Sequence, residues 1–138
     1  MNYFTEIENI AKGDGMPDAL ALLIAAQAAH ETGNFTSRVF IEDLNCFGYK
    51  RVPGARYQEA SGRVSPEGNS YAKYDSIANS VHEITAWIRR RLTEGRFPPL
   101  AYITTAAQYA EWLKKCGYYG DTEQHYQRGI EAALARYS

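Results

Sequence analysis

Apolar residues recur at helical spacing through most of this chain, and the breaks between the runs divide it into helices and one irregular stretch. Residues 3 to 12 put Tyr3 or Phe4 on one face with Ile7, Ile10 and Ala11, and Gly13 ends the run. Met16-Pro17-Asp18 then opens a second helix, with Pro17 suited to the first helical position and Asp18 favourable in the first turn. That helix, ALALLIAAQAAHE, is apolar almost all round, which places it inside a core. Its few polar groups, Gln27, His30 and Glu31, share one face near its end, where Gly33 stops it. Residues 51 to 74 lose the helical period. Pro53, Gly54, Gly62, Pro66 and Gly68 mark turns there, and short strands are expected around residues 55–58 and 71–74. Asp75 or Ser76 caps a long helix whose inner face is Ile77, Val81, Ile84, Ile88 and Leu92, and Gly95 with Pro98-Pro99 breaks it. Thr105 and Gln108 form a capping box for a helix ending at Gly117. Asp121 or Thr122 caps the last helix, with a stripe of Tyr126, Ile130, Leu134 and Tyr137.

This pattern predicts a mainly helical α+β domain spanning residues 1–138, with a small irregular β lobe at about 51–74 inserted after the second helix. A chain of 138 residues is large enough for one core. Composition adds little except in two places. Net charge is −1 and the basic residues are dispersed apart from Arg89-Arg90-Arg91, which spans nearly a helical turn, so no basic face for nucleic acid is expected. Eleven Tyr, five Phe and two Trp supply rings that serve a carbohydrate cleft or an ordinary core edge equally well. No stretch approaches the roughly 20 apolar residues of a membrane span. The segment MNYFTEIENIAKG lacks the apolar region of a secretory signal, so export by another route, or removal of a signal, is expected. Cys46 and Cys116 are read as two free, buried thiols, with one bridge as the alternative.

The chemistry concentrates at residues 28 to 50. A lone carboxylate, Glu31, on the last turn of a buried helix is poorly solvated and close to the negative helix end, and both effects raise its pKa. A raised carboxyl is what a general acid needs near neutral pH. His30-Glu31 is followed by Asn34 where a His-Glu-x-x-His zinc site requires His, so no metal site is expected. His82 and His125 read as isolated helix-surface residues, and neither a nucleophile elbow nor a Gly-rich phosphate loop is present.

Several segments, in order, resemble the glucosaminidases of bacterial and phage peptidoglycan hydrolases, glycoside hydrolase family 73. They are Gly15-Met16-Pro17, the Ala25 to Gly33 helix end, Asn45-Cys46-Phe47-Gly48-Tyr49-Lys50, Tyr71 to Ser76, Tyr109-Ala110, and Lys115 to Tyr118. The departures are Asn34, where many members carry a Trp-Gly pair, and Cys46 in place of an aliphatic residue. The resemblance implies a lysozyme-like architecture with a cleft between a helical lobe and the β lobe. It implies cleavage of the peptidoglycan glycan strand without a cofactor, as an endo-β-N-acetylglucosaminidase acting at the bacterial cell wall, here expected as a monomer. Glu31 is then the general acid. Glu59 is the best match for a second carboxylate, with Glu67 as the fallback, and the substrate's own N-acetyl group can act instead. Tyr118, Gln27, Phe47 and Tyr74 are carried as substrate-binding residues, with Phe47 expected to pack beneath Glu31. A muramidase, a chitin-type glycosidase, or a wall-binding module of a phage particle or secretion apparatus stays open as an alternative.

Overall fold

The structure is a computed structural model describing residues 2–93 and 100–138. Its element order is α1 (Tyr3–Gly13), α2 (Asp18–Glu31), α3 (Arg38–Asp43), β1 (Ala60–Val64), β2 (Ser70–Lys73), α4 (Ile77–Thr93), a 3₁₀ turn at Leu100–Tyr102, α5 (Ala106–Lys115) and α6 (Glu123–Tyr137). A helical lobe therefore carries a small β lobe between α3 and α4, as the apolar pattern predicts.

The helix caps explain why the elements start where they do. Asn2, Ser37, Thr105 and Thr122 each accept a hydrogen bond from a first-turn backbone N–H, and Thr105 with Gln108 closes the expected capping box. Pro17 stands at the N-cap of α2, one position before the site expected for it. Helix α2 is buried from Leu20 through Ala29 apart from Leu22, and it packs on α1 and α6. Phe4, not Tyr3, faces this core from α1, and Val81, Ile84 and Ile88 face it from α4. Close approach of α6 to α2 depends on Gly129, because a Cβ there would overlap the His30 ring. The expected break at Gly95 and Pro98-Pro99 lies outside the described residues.

Two local readings need correction. The stretch after Gly33 contains a helix, α3, capped by Ser37 and anchored by buried Phe40; at six residues it is too short to show a period. The first strand runs over Ala60–Val64 rather than 55–58. Residues 52–58 are instead a turn held by one side chain. Gln58 accepts from Val52 N–H (2.8 Å) and donates to the Lys50 carbonyl (3.1 Å), an amide exchange that replaces a strand ladder. The two strands pair antiparallel with an irregularity between Ser61 and Val64, and a turn from Ser65 to Asn69 joins them. Buried Asp43 at the end of α3 clamps this hairpin by accepting from Arg63 N–H (2.8 Å). Only glycine fits at position 62, since a Cβ would collide with the Asp43 carboxylate.

Candidate active site

The cleft floor is built by one asparagine. Leu44 takes a left-handed conformation (φ 53°) that ends α3 and turns Asn45 inward, where it is 1% exposed. Its Oδ1 accepts from the backbone N–H groups of Phe47 (3.3 Å), Gly48 (2.9 Å) and Tyr49 (3.2 Å). Its Nδ2 donates to the carbonyls of Tyr49 and Ala72, both at 2.9 Å. Every polar valence is thus spent on folding the Asn-Cys-Phe-Gly turn and tying it to β2. The turn brings Gly48 (φ 73°) against Glu31, whose Oε2 lies 3.8 Å from where a Cβ at Gly48 would stand.

Glu31 ends α2 with its carboxyl opening into the cleft above and protein on its other sides. A directed chain of buried side chains holds one of its oxygens. Tyr109 Oη donates to Gln27 Oε1 (2.6 Å), Gln27 Nε2 donates to Tyr126 Oη (3.3 Å), and Tyr126 Oη donates to Glu31 Oε1 (2.6 Å). Each hydroxyl has one proton to give, so the order of the chain commits Tyr126's proton to Glu31. Oε1 is held as an acceptor, and the acidic proton of Glu31 is confined to Oε2, the oxygen facing Gly48. Burial raises the pKa of Glu31, the Tyr126 hydrogen bond opposes that rise, and the negative charge of Asp121 adds to it. His30, edge-on to Tyr126 with ring centroids 5.0 Å apart, supplies no compensating charge. Its pKa is lowered by burial first and by His125 second, against the pull of Asp121.

Replacing Tyr126 with Phe removes the one interaction that stabilises ionised Glu31. The alkaline limb of the pH–rate profile is therefore expected to move to higher pH. Turnover should fall on the order of tenfold as the proton loses its fixed position, with KM nearly unchanged. A profile that keeps its limb in place would show that Tyr126 does not act on Glu31.

A cavity of about 680 Å³ opens from Glu31 between the lobes. Its walls include Trp87, Tyr118 and Tyr119 on one side and Lys50 and Glu67 on the other. Glu67 stands on the hairpin turn joining β1 and β2, fully exposed, and its pKa is lowered by its own backbone N–H and by the Ser65 hydroxyl. One cleft thus contains a carboxyl whose pKa is raised by burial and another whose pKa is lowered by hydrogen bonds. Such a pair is the requirement for combined acid and base chemistry.

The sequence-predicted residues divide accordingly. Glu31 and Tyr118 lie on the cleft. Tyr118 contributes its ring, packed 5.2 Å from Trp87, while its hydroxyl donates to the Phe47 carbonyl (3.2 Å). Phe47 borders the cleft but is 3% exposed, packed in the floor as expected. Glu59 borders neither of the cavities around Glu31; it is exposed just before β1, with its backbone N–H paired to the Lys73 carbonyl (2.8 Å). Its fallback, Glu67, lines the same cavity as Glu31 from the hairpin turn. Gln27 and Tyr74, expected to bind substrate, are buried at 0% and 1% exposure. Gln27 acts on Glu31 through Tyr126, and Tyr74 donates to Glu83 beneath the β lobe.

Trp87, Tyr119, Lys50 and the relay residues Tyr109 and Tyr126 were not singled out as site residues by the sequence. Tertiary packing alone brings Trp87, Tyr119 and Lys50 to the cleft and stacks Tyr109 and Tyr126 behind Glu31 in the core. His82 and His125 are not isolated: His82 pairs with Asp14 (2.7 Å) across α1 and α4, and His125 pairs with Asp121. No disulfide joins the two cysteines. Cys46 is buried, which pushes its thiol pKa up to about 12, whereas Cys116 is half-buried on the cleft wall.

The fold has relatives among solved structures. A type VI secretion system effector–immunity complex from Pseudomonas protegens contains a chain with TM-score 0.67 and 19% identity, over 97% of this chain and 87% of that one. A peptidoglycan hydrolase from Sphingomonas sp. A1 gives 0.66 and 22% over 96% and 86%. The catalytic domain of the autolysin Auto from Listeria monocytogenes gives 0.59 and 18% over 97% and 79%. These likenesses establish the fold, which is lysozyme-like. No curated protein sequence matches significantly. The glucosaminidase profile, described as mannosyl-glycoprotein endo-beta-N-acetylglucosaminidase, matches residues 8–138, nearly the whole chain, which therefore belongs to the glucosaminidase family of glycoside hydrolases.

Proposed function

We propose that this chain cleaves the glycan strand of peptidoglycan as an endo-β-N-acetylglucosaminidase, with Glu31 as general acid and Glu67 as general base. The observation that carries this reading is the opposed pair of carboxyl environments on one cleft, Glu31 held up and Glu67 held down. In the reaction, Glu31 Oε2 gives its proton to the bridging oxygen as the bond from the anomeric carbon to that oxygen breaks. A water loses its proton to Glu67 as its oxygen bonds to the same carbon. The rings of Trp87, Tyr118 and Tyr119 offer faces on which sugars can stack.

Cleavage within a strand is supported by the cleft's shape. Glu31 borders a second cavity of about 250 Å³, lined by Ser37, Val39, Asn45, Gly48, Lys50 and Tyr71, so sugars can occupy both sides of the acid. Peptidoglycan as substrate is supported by the family and by the two solved relatives described as a peptidoglycan hydrolase and an autolysin. The site of action is then the bacterial cell wall.

Digestion of purified peptidoglycan with the wild-type protein, followed by mass spectrometry of the products, tests this. New reducing-end N-acetylglucosamine is the expected result. New reducing-end N-acetylmuramic acid would make the enzyme a muramidase, and wall binding by folded protein without any product would make it a binding module.

A further inference from the structure

A third cavity adjoins the catalytic one and takes no part in the chemistry above. It has a volume of about 420 Å³, within the roughly 300–1,000 Å³ typical of ligand sites, and lies between the 52–58 turn and α4. Tyr49 and Trp87 border both cavities, so a substituent on a sugar in the catalytic cavity can pass over them into the third. Its wall is apolar: Val52, 57% exposed, with Ala55, Ala86 and the ring of Tyr57. Among its neutral polar side chains, the Gln58 amide is already engaged. The Gln58 amide is used in both directions, accepting from Val52 N–H and donating to the Lys50 carbonyl and to Glu83 Oε1 (2.9 Å). Glu83 Oε1 also receives the Tyr74 hydroxyl, which ties that carboxylate inward.

Positive charge is offered to a ligand by Arg56. Arg56 and Arg90 stand on the rim. Arg56 is exposed, its guanidinium lies 5.1 Å from the Tyr57 ring centroid, and it forms no ion pair among the described residues. A short acidic peptide bearing methyl side chains fits the cavity well, with methyls on the Val52–Ala55–Ala86 wall and a carboxylate on Arg56.

Resting on the reading of the substrate as peptidoglycan, we propose that this cavity receives the stem peptide carried by the muramic acid residues of the glycan. The enzyme then selects peptide-bearing strands over bare ones. The methyl-rich, carboxylate-bearing stem matches the cavity in charge and polarity, and its attachment to a sugar matches the continuity with the catalytic cleft.

The test compares kcat/KM on glycan strands that retain their stem peptides with kcat/KM on the same strands after enzymatic removal of the peptides. Wild type is expected to prefer the peptide-bearing strands by about tenfold or more, the worth of one charge-assisted hydrogen bond. The ratio should collapse toward one in Arg56→Glu and survive largely intact in Arg56→Lys. Equal rates of wild type on both substrates would overturn the proposal, as would an unchanged ratio in Arg56→Glu or an equal fall on both substrates. Failure to cleave either substrate would instead overturn the glycosidase assignment.

Discussion

Glu31→Gln is expected to lower glycan cleavage at least a thousandfold while the protein folds as before. The amide is nearly isosteric, and its oxygen still accepts from Tyr126, so the Tyr109–Gln27–Tyr126 chain remains closed. What disappears is the proton on Oε2, and with it the acid catalysis that typically contributes 10²- to 10⁴-fold. Stability has a predictable sign. Because folding raises the pKa of Glu31, its contribution is fully present below the ordinary glutamate value and is lost as pH rises through the raised one. At neutral and higher pH the variant should therefore melt no lower than wild type, and any advantage should shrink on acidification. Peptidoglycan turnover with thermal melts across pH measures both. Retained cleavage by well-folded Glu31→Gln protein would remove Glu31 as the acid.

The second large effect separates two carboxylates of the β lobe. Glu67→Gln is expected to cost about a hundredfold or more in kcat, whereas Glu59→Gln should stay within a few-fold of wild type. The difference follows from position: Glu67 borders the cavity of Glu31 and Glu59 does not. Glu67 is held below the usual carboxylate range, so wild-type activity should persist into mildly acidic solution before the acidic limb sets in. A Glu67→Gln enzyme with near-normal turnover would shift the second catalytic role to the substrate's N-acetyl group. A large loss in Glu59→Gln would mean that the hairpin rearranges when substrate binds.

The amino-acid sequence by itself determined the helical lobe, several of its caps and the position of Glu31 at the end of its buried helix. A run from Leu20 to Ala29 that is apolar except for Gln27, and too long for a strand, reads as a buried helix, and Glu31 at its end stands where that burial gives out. The Asn45 turn was legible for a similar reason, since one amide satisfying five backbone groups requires that residue at that spacing. Tertiary structure alone decided the second carboxylate and the relay. Glu59 and Glu67 are alike as letters in a turn-rich segment. What separates them is position in the folded hairpin: Glu67 on its turn lines the cavity of Glu31, and Glu59 before β1 does not. Gln27, Tyr109 and Tyr126 sit on three different helices, so no periodicity connects them. Local patterns report which face of an element is buried. Which buried groups meet, and which oxygen of Glu31 keeps its proton, depends on how the helices pack.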